Sequence, residues 1–155
     1  MKRVLLIAYD FPPRGGSGVF RAAKFARYLP EWGWQPVVVT VEGEGPHPDH
    51  RLLAELPPDI EVQRVQPLGR RWRKNGPQAT TDLGMPTSRT GWRARLKPWL
   101  VPDAQLAWVP GAWRAAERQL RHSHIDAVLT SGPPFSTHLV GWLLKRRHPA
   151  LPWVM

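Results

Sequence analysis

The chain has 155 residues, 42% hydrophobic and 22% charged, which is the length of one domain and the composition of a globular one. No apolar run nears the roughly 18 residues a spanning helix needs, and the lack of cysteine excludes a disulfide scaffold and thiolate metal sites. Lys and Arg number 22 against 12 Asp and Glu, a net charge of +10, and this excess favours anionic partners such as phosphates, nucleic acid or acidic lipid surfaces. Met1-Lys2-Arg3 and the short apolar run after it meet Asp10 rather than a small-residue cleavage site. That is no signal peptide, and a cytoplasmic location is expected.

Residues 3–9 form a continuous Val, Leu and Ile run, as in a parallel strand covered on both faces. Residues 10–18 (DFPPRGGSG) combine prolines that cannot extend a ladder with glycines that accept positive φ, so they predict a loop. Val19, Ala22, Ala23, Ala26 and Leu29 then follow helical spacing from Ser17 to about Trp32. The β-branched run QPVVVTV at 35–41 completes a strand, glycine loop, helix, strand unit. A helical turn is expected near 51–56 and a half-buried strand at 60–65, where IEVQRV alternates.

From 66 to 102 no period holds, and the four glycines and five prolines there predict a loop far longer than ordinary connections. Pro110 suits the first turn of a helix whose apolar positions are Val109, Trp113, Ala116 and Leu120 and which ends near Arg121-His122. Residues 127–130 (AVLT) read as a short buried strand followed by Ser131-Gly132-Pro133-Pro134. The last helix runs from Ser136 to Lys145-Arg146-Arg147, cations that complement its carbonyl end. LPWVM at 151–155 opens a further strand, which suggests a domain cut from a longer protein.

Alternating strands and helices predict an α/β fold, a Rossmann-like doubly wound parallel sheet. In such sheets ligands bind outside the carboxyl ends of the strands. The loops at 10–18 and 131–135 leave such ends and are expected to converge on one crevice.

The run Tyr9-Asp10-Phe11-Pro12-Pro13-Arg14-Gly15-Gly16-Ser17-Gly18, then Arg21, Lys24-Phe25-Ala26, Tyr28-Leu29 and Gly33-Trp34, resembles the start of the family 4-like glycosyltransferases, with their Y-x-F-P-P-x-x-G-G loop. Pro102-Asp103 with Trp108 and Pro110, the block Ser131 to His138 with Leu139 and Gly141, and Leu151-Pro152-Trp153-Val154 are similar to later blocks of the same N-terminal domain. The similarity is collinear over essentially the whole chain.

The resemblance implies the N-terminal, mainly acceptor-binding half of a two-domain, retaining glycosyltransferase, with residues 1–155 as one domain and 66–102 as a basic loop within it. It implies a nucleoside-diphosphate sugar as donor and a glycan or lipid-linked acceptor. It implies no cofactor and no metal. The Glu-x7-Glu pair of the family belongs to the other Rossmann-like half, and no two glutamates here stand eight apart, so this chain is expected to be inactive without that C-terminal domain.

Gly15, Gly16, Ser17 and Gly18 can present backbone N–H groups at a helix N-terminus to the donor, or can form a plain strand-to-helix turn. Arg21 pairs with phosphate or is a solvated helix charge. Ser131, Gly132 and Pro133 face the same crevice. Many relatives carry a histidine near this strand end, where this chain has Thr130, Ser131 and Gly132, and His138 stands in as a site residue or packs as a structural one.

Gly16-x-Gly18-x-x-Arg21 with Glu42 also mimics a dinucleotide fingerprint, but it lacks the third glycine and its diproline lengthens the tight turn. His47, His50, His122 and His124 are scattered over loops rather than paired on one helix, which disfavours a metal site.

Residues 64–99 carry nine cations against Asp82, with Trp72, Trp92 and Trp99 interleaved. That composition suits a solvated loop, a peripheral contact with anionic membrane on its cytoplasmic face, or single-stranded nucleic acid, the last with no recognised motif behind it. A free-standing module that binds membrane or nucleic acid is the alternative to the enzyme reading.

Overall fold

The computed structural model describes residues 1–45, 47–68, 103 and 105–155. Five strands form one sheet: β1 (Lys2–Ala8), β2 (Trp34–Val41), β3 (Glu61–Val65), β4 (Ala127–Ser131) and β5 (Trp153–Val154). The helices are α1 (Ser17–Tyr28), the short α2 (His50–Ala54), α3 (Val109–His122) and α4 (Ser136–Arg147). Every pairing is parallel, in the order β3-β2-β1-β4-β5. This is the expected Rossmann-like α/β sheet.

Strand alternation sorts the core into two layers. Leu5 and Ile7 of β1 with Val37, Val39 and Val41 of β2 face one way, onto Ala112, Ala115 and Ala116 of α3 and Val140 and Leu144 of α4. Leu6 and Ala8 with Val38 face the other way, onto Ala22, Ala23 and Ala26 of α1. Both sides of β1 and β2 are therefore dry, which is why those segments read as unbroken apolar runs.

Two details depart from the helical spacing. Leu29-Pro30-Glu31-Trp32 leaves α1 as a 3-10 turn closed by Gly33 at φ 76°, so the α-helix ends at Tyr28. On α3 the alanines at 112, 115 and 116 are buried together with Val109, while Trp113 and Leu120 pack half-buried at the margin. Small side chains let that helix lie close to the sheet, and the large ones then fit only at its flanks. Glu117 of α3 is buried at 5% exposure and is bonded by His148 Nε2 at 3.1 Å with Arg147 Nε at 3.5 Å, which ties α3 to the end of α4.

No helix among the described residues is long and apolar enough to cross a membrane. Of the expected basic loop, residues 69–102 lie outside the described residues, so Arg70, Arg71, Arg73, Lys74 and the three tryptophans interleaved with them receive no structural account.

Candidate functional site

The chain runs β1, β2, β3 in one direction and then returns to the other side of β1 as β4. That reversal is the topological switch point, where an open α/β sheet forms its crevice. Ala8 and Ser131 are register partners at the carboxyl ends of β1 and β4. The two loops singled out from the sequence therefore start side by side.

In the first loop the backbone is held from several directions. Arg64 Nη2 donates to the Pro12 carbonyl at 2.6 Å, and the Asp49 N–H donates to the Pro13 carbonyl at 2.6 Å. Asp10 accepts from Arg14 Nε at 2.9 Å, and the Arg14 guanidinium stands 5.5 Å from the Tyr9 ring. The peptide bonds Pro12–Pro13, Gly132–Pro133 and Pro133–Pro134 are cis.

Gly15 and Gly16 do different work. A Cβ on Gly15 would overlap the His47 carbonyl oxygen, so the loop before α2 rests directly on this backbone. Gly16 is the N-cap of α1 at φ 109° and ψ 165°, a conformation that side-chain-bearing residues rarely adopt and only with strain. A Cβ there would meet nothing within 4 Å. No side chain caps α1; Ser17 at its first position is exposed, while the Val19 N–H is bonded to the Gly16 carbonyl at 3.2 Å.

The second loop closes against the first. A Cβ on Gly18 would lie 3.7 Å from Asp10 Oδ2 and 4.0 Å from the Pro133 carbonyl oxygen. Arg21 Nε donates to Ser131 Oγ at 3.0 Å, so this cation is neither a purely solvated charge nor wholly free for a ligand. His138, on the first turn of α4, sits behind Gly132, where a Cβ would be 2.7 Å from His138 Nε2. Burial first, and the positive Arg21 second, hold the His138 ring below the ordinary imidazole value of 6.5. A neutral ring at pH 7 follows.

Gly18 and Arg21 of α1 thus lie beside Pro133 and Ser131, and His138 stands against Gly132, whereas Gly15 packs on His47 and Gly16 and Ser17 are exposed. Sequence reasoning assigned no role to the groups that hold them. Asp103 accepts from the Ser136 N–H at 2.7 Å and from the Gln105 N–H at 3.0 Å, so a carboxylate already occupies the start of α4. Thr130 Oγ1 lies 2.9 Å from His138 Nδ1. Trp153 Nε1 donates to the same oxygen at 3.0 Å. A glycine inside an apolar helix, Gly141, was the one available signal that something approaches α4 closely.

Among the described residues no group of three His, Asp or Glu side chains is placed to hold a metal ion. No protein-family model matches the chain, and no curated protein matches it in sequence. Among solved structures it is similar to MurG of Acinetobacter baumannii, at 21% identity and a TM-score of 0.49, over 99% of this chain and 34% of that one. The chain spans about a third of the length of that protein. At this level the likeness adds nothing to the chemistry, and the Rossmann-like fold rests on the strand order itself.

Proposed function

We propose that this chain is the acceptor-side, N-terminal domain of a retaining glycosyltransferase that moves a sugar from a nucleoside diphosphate to an acceptor hydroxyl, in glycan or lipid-linked glycan synthesis. The observation that carries the reading is the convergence of the Gly15–Gly18 loop and the Ser131–Pro133 loop at the switch point, bridged by Arg21 and Ser131. The collinear motif resemblance supplies the reaction class.

In this reading the uncapped N–H groups of α1 take a phosphate or sugar oxygen, and His138 serves sugar hydroxyls as a neutral hydrogen-bond partner. Neither metal nor cofactor is called for. The main nucleotide site and the paired glutamates belong to a second Rossmann-like domain, and the chain alone does not turn over.

The test is a titration of the chain with a panel of nucleoside-diphosphate sugars, followed by amide and imidazole resonances. Shifts at Gly16, Ser17, Gly18 and His138 are expected. Shifts confined to other surfaces, or none at millimolar donor, overturn the reading.

A second reading rests on a different surface. Phe25 and Tyr28 of α1 and Trp32 of the 3-10 turn after it are exposed, at 38%, 42% and 80%, and line a groove of about 370 Å³ with Arg21, Lys24 and Leu29. Aromatic rings beside cations suit the interface of an anionic membrane, and peripheral attachment on the cytoplasmic face is compatible with a lipid-linked acceptor.

A further inference from the structure

We propose that Thr130 and Trp153 are positioning residues that fix the His138 ring in one tautomer, with Nδ1 accepting and Nε2 carrying the proton, so that the crevice offers a single neutral N–H donor to a ligand oxygen. The use of that donor rests on the glycosyltransferase reading. The tautomer itself is a property of the chain as it stands.

The arrangement begins with Gly141. A Cβ at that position would lie 2.5 Å from Trp153 Nε1, 2.6 Å from its Cε2 and 2.7 Å from Thr130 Cγ2. Only a residue without a side chain lets the indole of β5 lie against α4 and reach across to β4. His138 precedes Gly141 by three residues, so both stand on the same face of the helix. Three elements therefore meet at the Thr130 hydroxyl.

An indole nitrogen can only donate, and Trp153 Nε1 donates to Thr130 Oγ1 at 3.0 Å. One lone pair of that oxygen is thereby used. The hydroxyl has one proton and two acceptors in reach, His138 Nδ1 at 2.9 Å and the Val154 carbonyl at 3.3 Å. Hydroxyl bonds to oxygen lie at about 2.5–3.0 Å, so the bond to the Val154 carbonyl is the longer of the two, and in the arrangement proposed the proton goes to Nδ1. A neutral imidazole that accepts at Nδ1 must hold its proton on Nε2. That atom lies against Gly132, where the missing Cβ leaves room for it. Arg21, on the opposite wall, disfavours a second proton on the ring.

The experiment reads the imidazole nitrogens of His138 by ¹⁵N resonance in the intact chain, with thermal unfolding as a control for folding. The wild type is expected to show protonated Nε2 and bare Nδ1. Thr130→Ser keeps the hydroxyl and is expected to keep that pattern, whereas Thr130→Val, of nearly the same shape, is expected to lose the single tautomer. Trp153→Phe removes the donor that orients the hydroxyl and is expected to shift the ring toward the same mixture.

A wild type with the proton on Nδ1, or with both forms present, overturns the proposal even if no variant folds. So does a folded Thr130→Val whose ring is unchanged, since Thr130 would then only pack. A fixed Nε2–H tautomer in a chain that binds no nucleotide sugar supports the positioning role and counts against the glycosyltransferase reading alone.

Discussion

Arg21 of α1 donates to Ser131 Oγ across the crevice, joining residues 110 apart in sequence at 3.0 Å. The same guanidinium faces His138, and its charge helps hold that ring neutral. One side chain therefore both bridges the two loops and sets the electrostatics of the group behind them.

Replacing Arg21 with Gln keeps a hydrogen-bonding side chain and removes the charge. Because the folded ring titrates below its unfolded value, the unfolded chain takes up a proton first as pH falls through 6.5. The stability contributed by neutral His138 is thus complete above that value and is lost as pH falls toward the folded pKa. In Arg21→Gln the imidazole midpoint is expected to rise only part of the way, since burial is the larger cause, and the pH dependence of unfolding below 6.5 should flatten. An imidazole titration and thermal melts measure both, and an unmoved midpoint would remove Arg21 from the electrostatics of the site.

The fold was legible because each strand of the inner sheet is an unbroken apolar run and each helix has small residues on one face. Val37, Val38 and Val39 admit no other reading. The convergence of the loops at 10–18 and 131–135 was legible too, because strand order follows from right-handed crossovers. The contacts behind the loops were not. Asp103 caps a helix 33 residues on, and Trp153 reaches Thr130 through a slot made by Gly141. Such pairings depend on the register of α4 against β4 and β5, which no period in the sequence encodes.

The adjacent glycines of the first loop separate two causes of intolerance. Gly15→Ala forces its Cβ into the His47 carbonyl, and backbone yields poorly, so a cost of about 1–3 kcal/mol is expected. Faster amide exchange at Asp49, whose N–H is bonded to Pro13, should accompany it. Gly16→Ala meets no atom, and its cost, on the order of 1–3 kcal/mol, is backbone strain alone. Asp49 should then exchange as in the wild type. On the glycosyltransferase reading, Gly16→Trp in a full-length protein is expected to block sugar transfer, and retained activity would exclude this loop from the site.

Asp103 supplies the carboxylate that an ordinary N-cap would. Asp103→Ala is expected to lower stability by roughly 0.5–2 kcal/mol, while Asp103→Asn, which retains an acceptor oxygen, should recover most of it. Denaturant unfolding with amide exchange at Ser136 checks this. Equal stabilities for the two variants would mean that the charge, not the oxygen, stabilises the start of α4.

Membrane attachment is tested by sedimentation with vesicles, and its two candidate surfaces respond to different variants. A cation near an anionic surface contributes about 1 kcal/mol, so Arg71→Glu, Arg73→Glu and Lys74→Glu together should weaken binding to anionic vesicles by more than about a hundredfold. Trp32→Ala removes an aromatic ring that is 80% exposed beside the α1 groove, and its effect should persist at high salt, where the charge effect is screened. Zwitterionic vesicles should bind neither form. Vesicle binding unchanged by the charge reversals would end the membrane reading of the basic segment. Binding that moves instead to a single-stranded oligonucleotide would transfer those cations and their interleaved tryptophans to a nucleic acid.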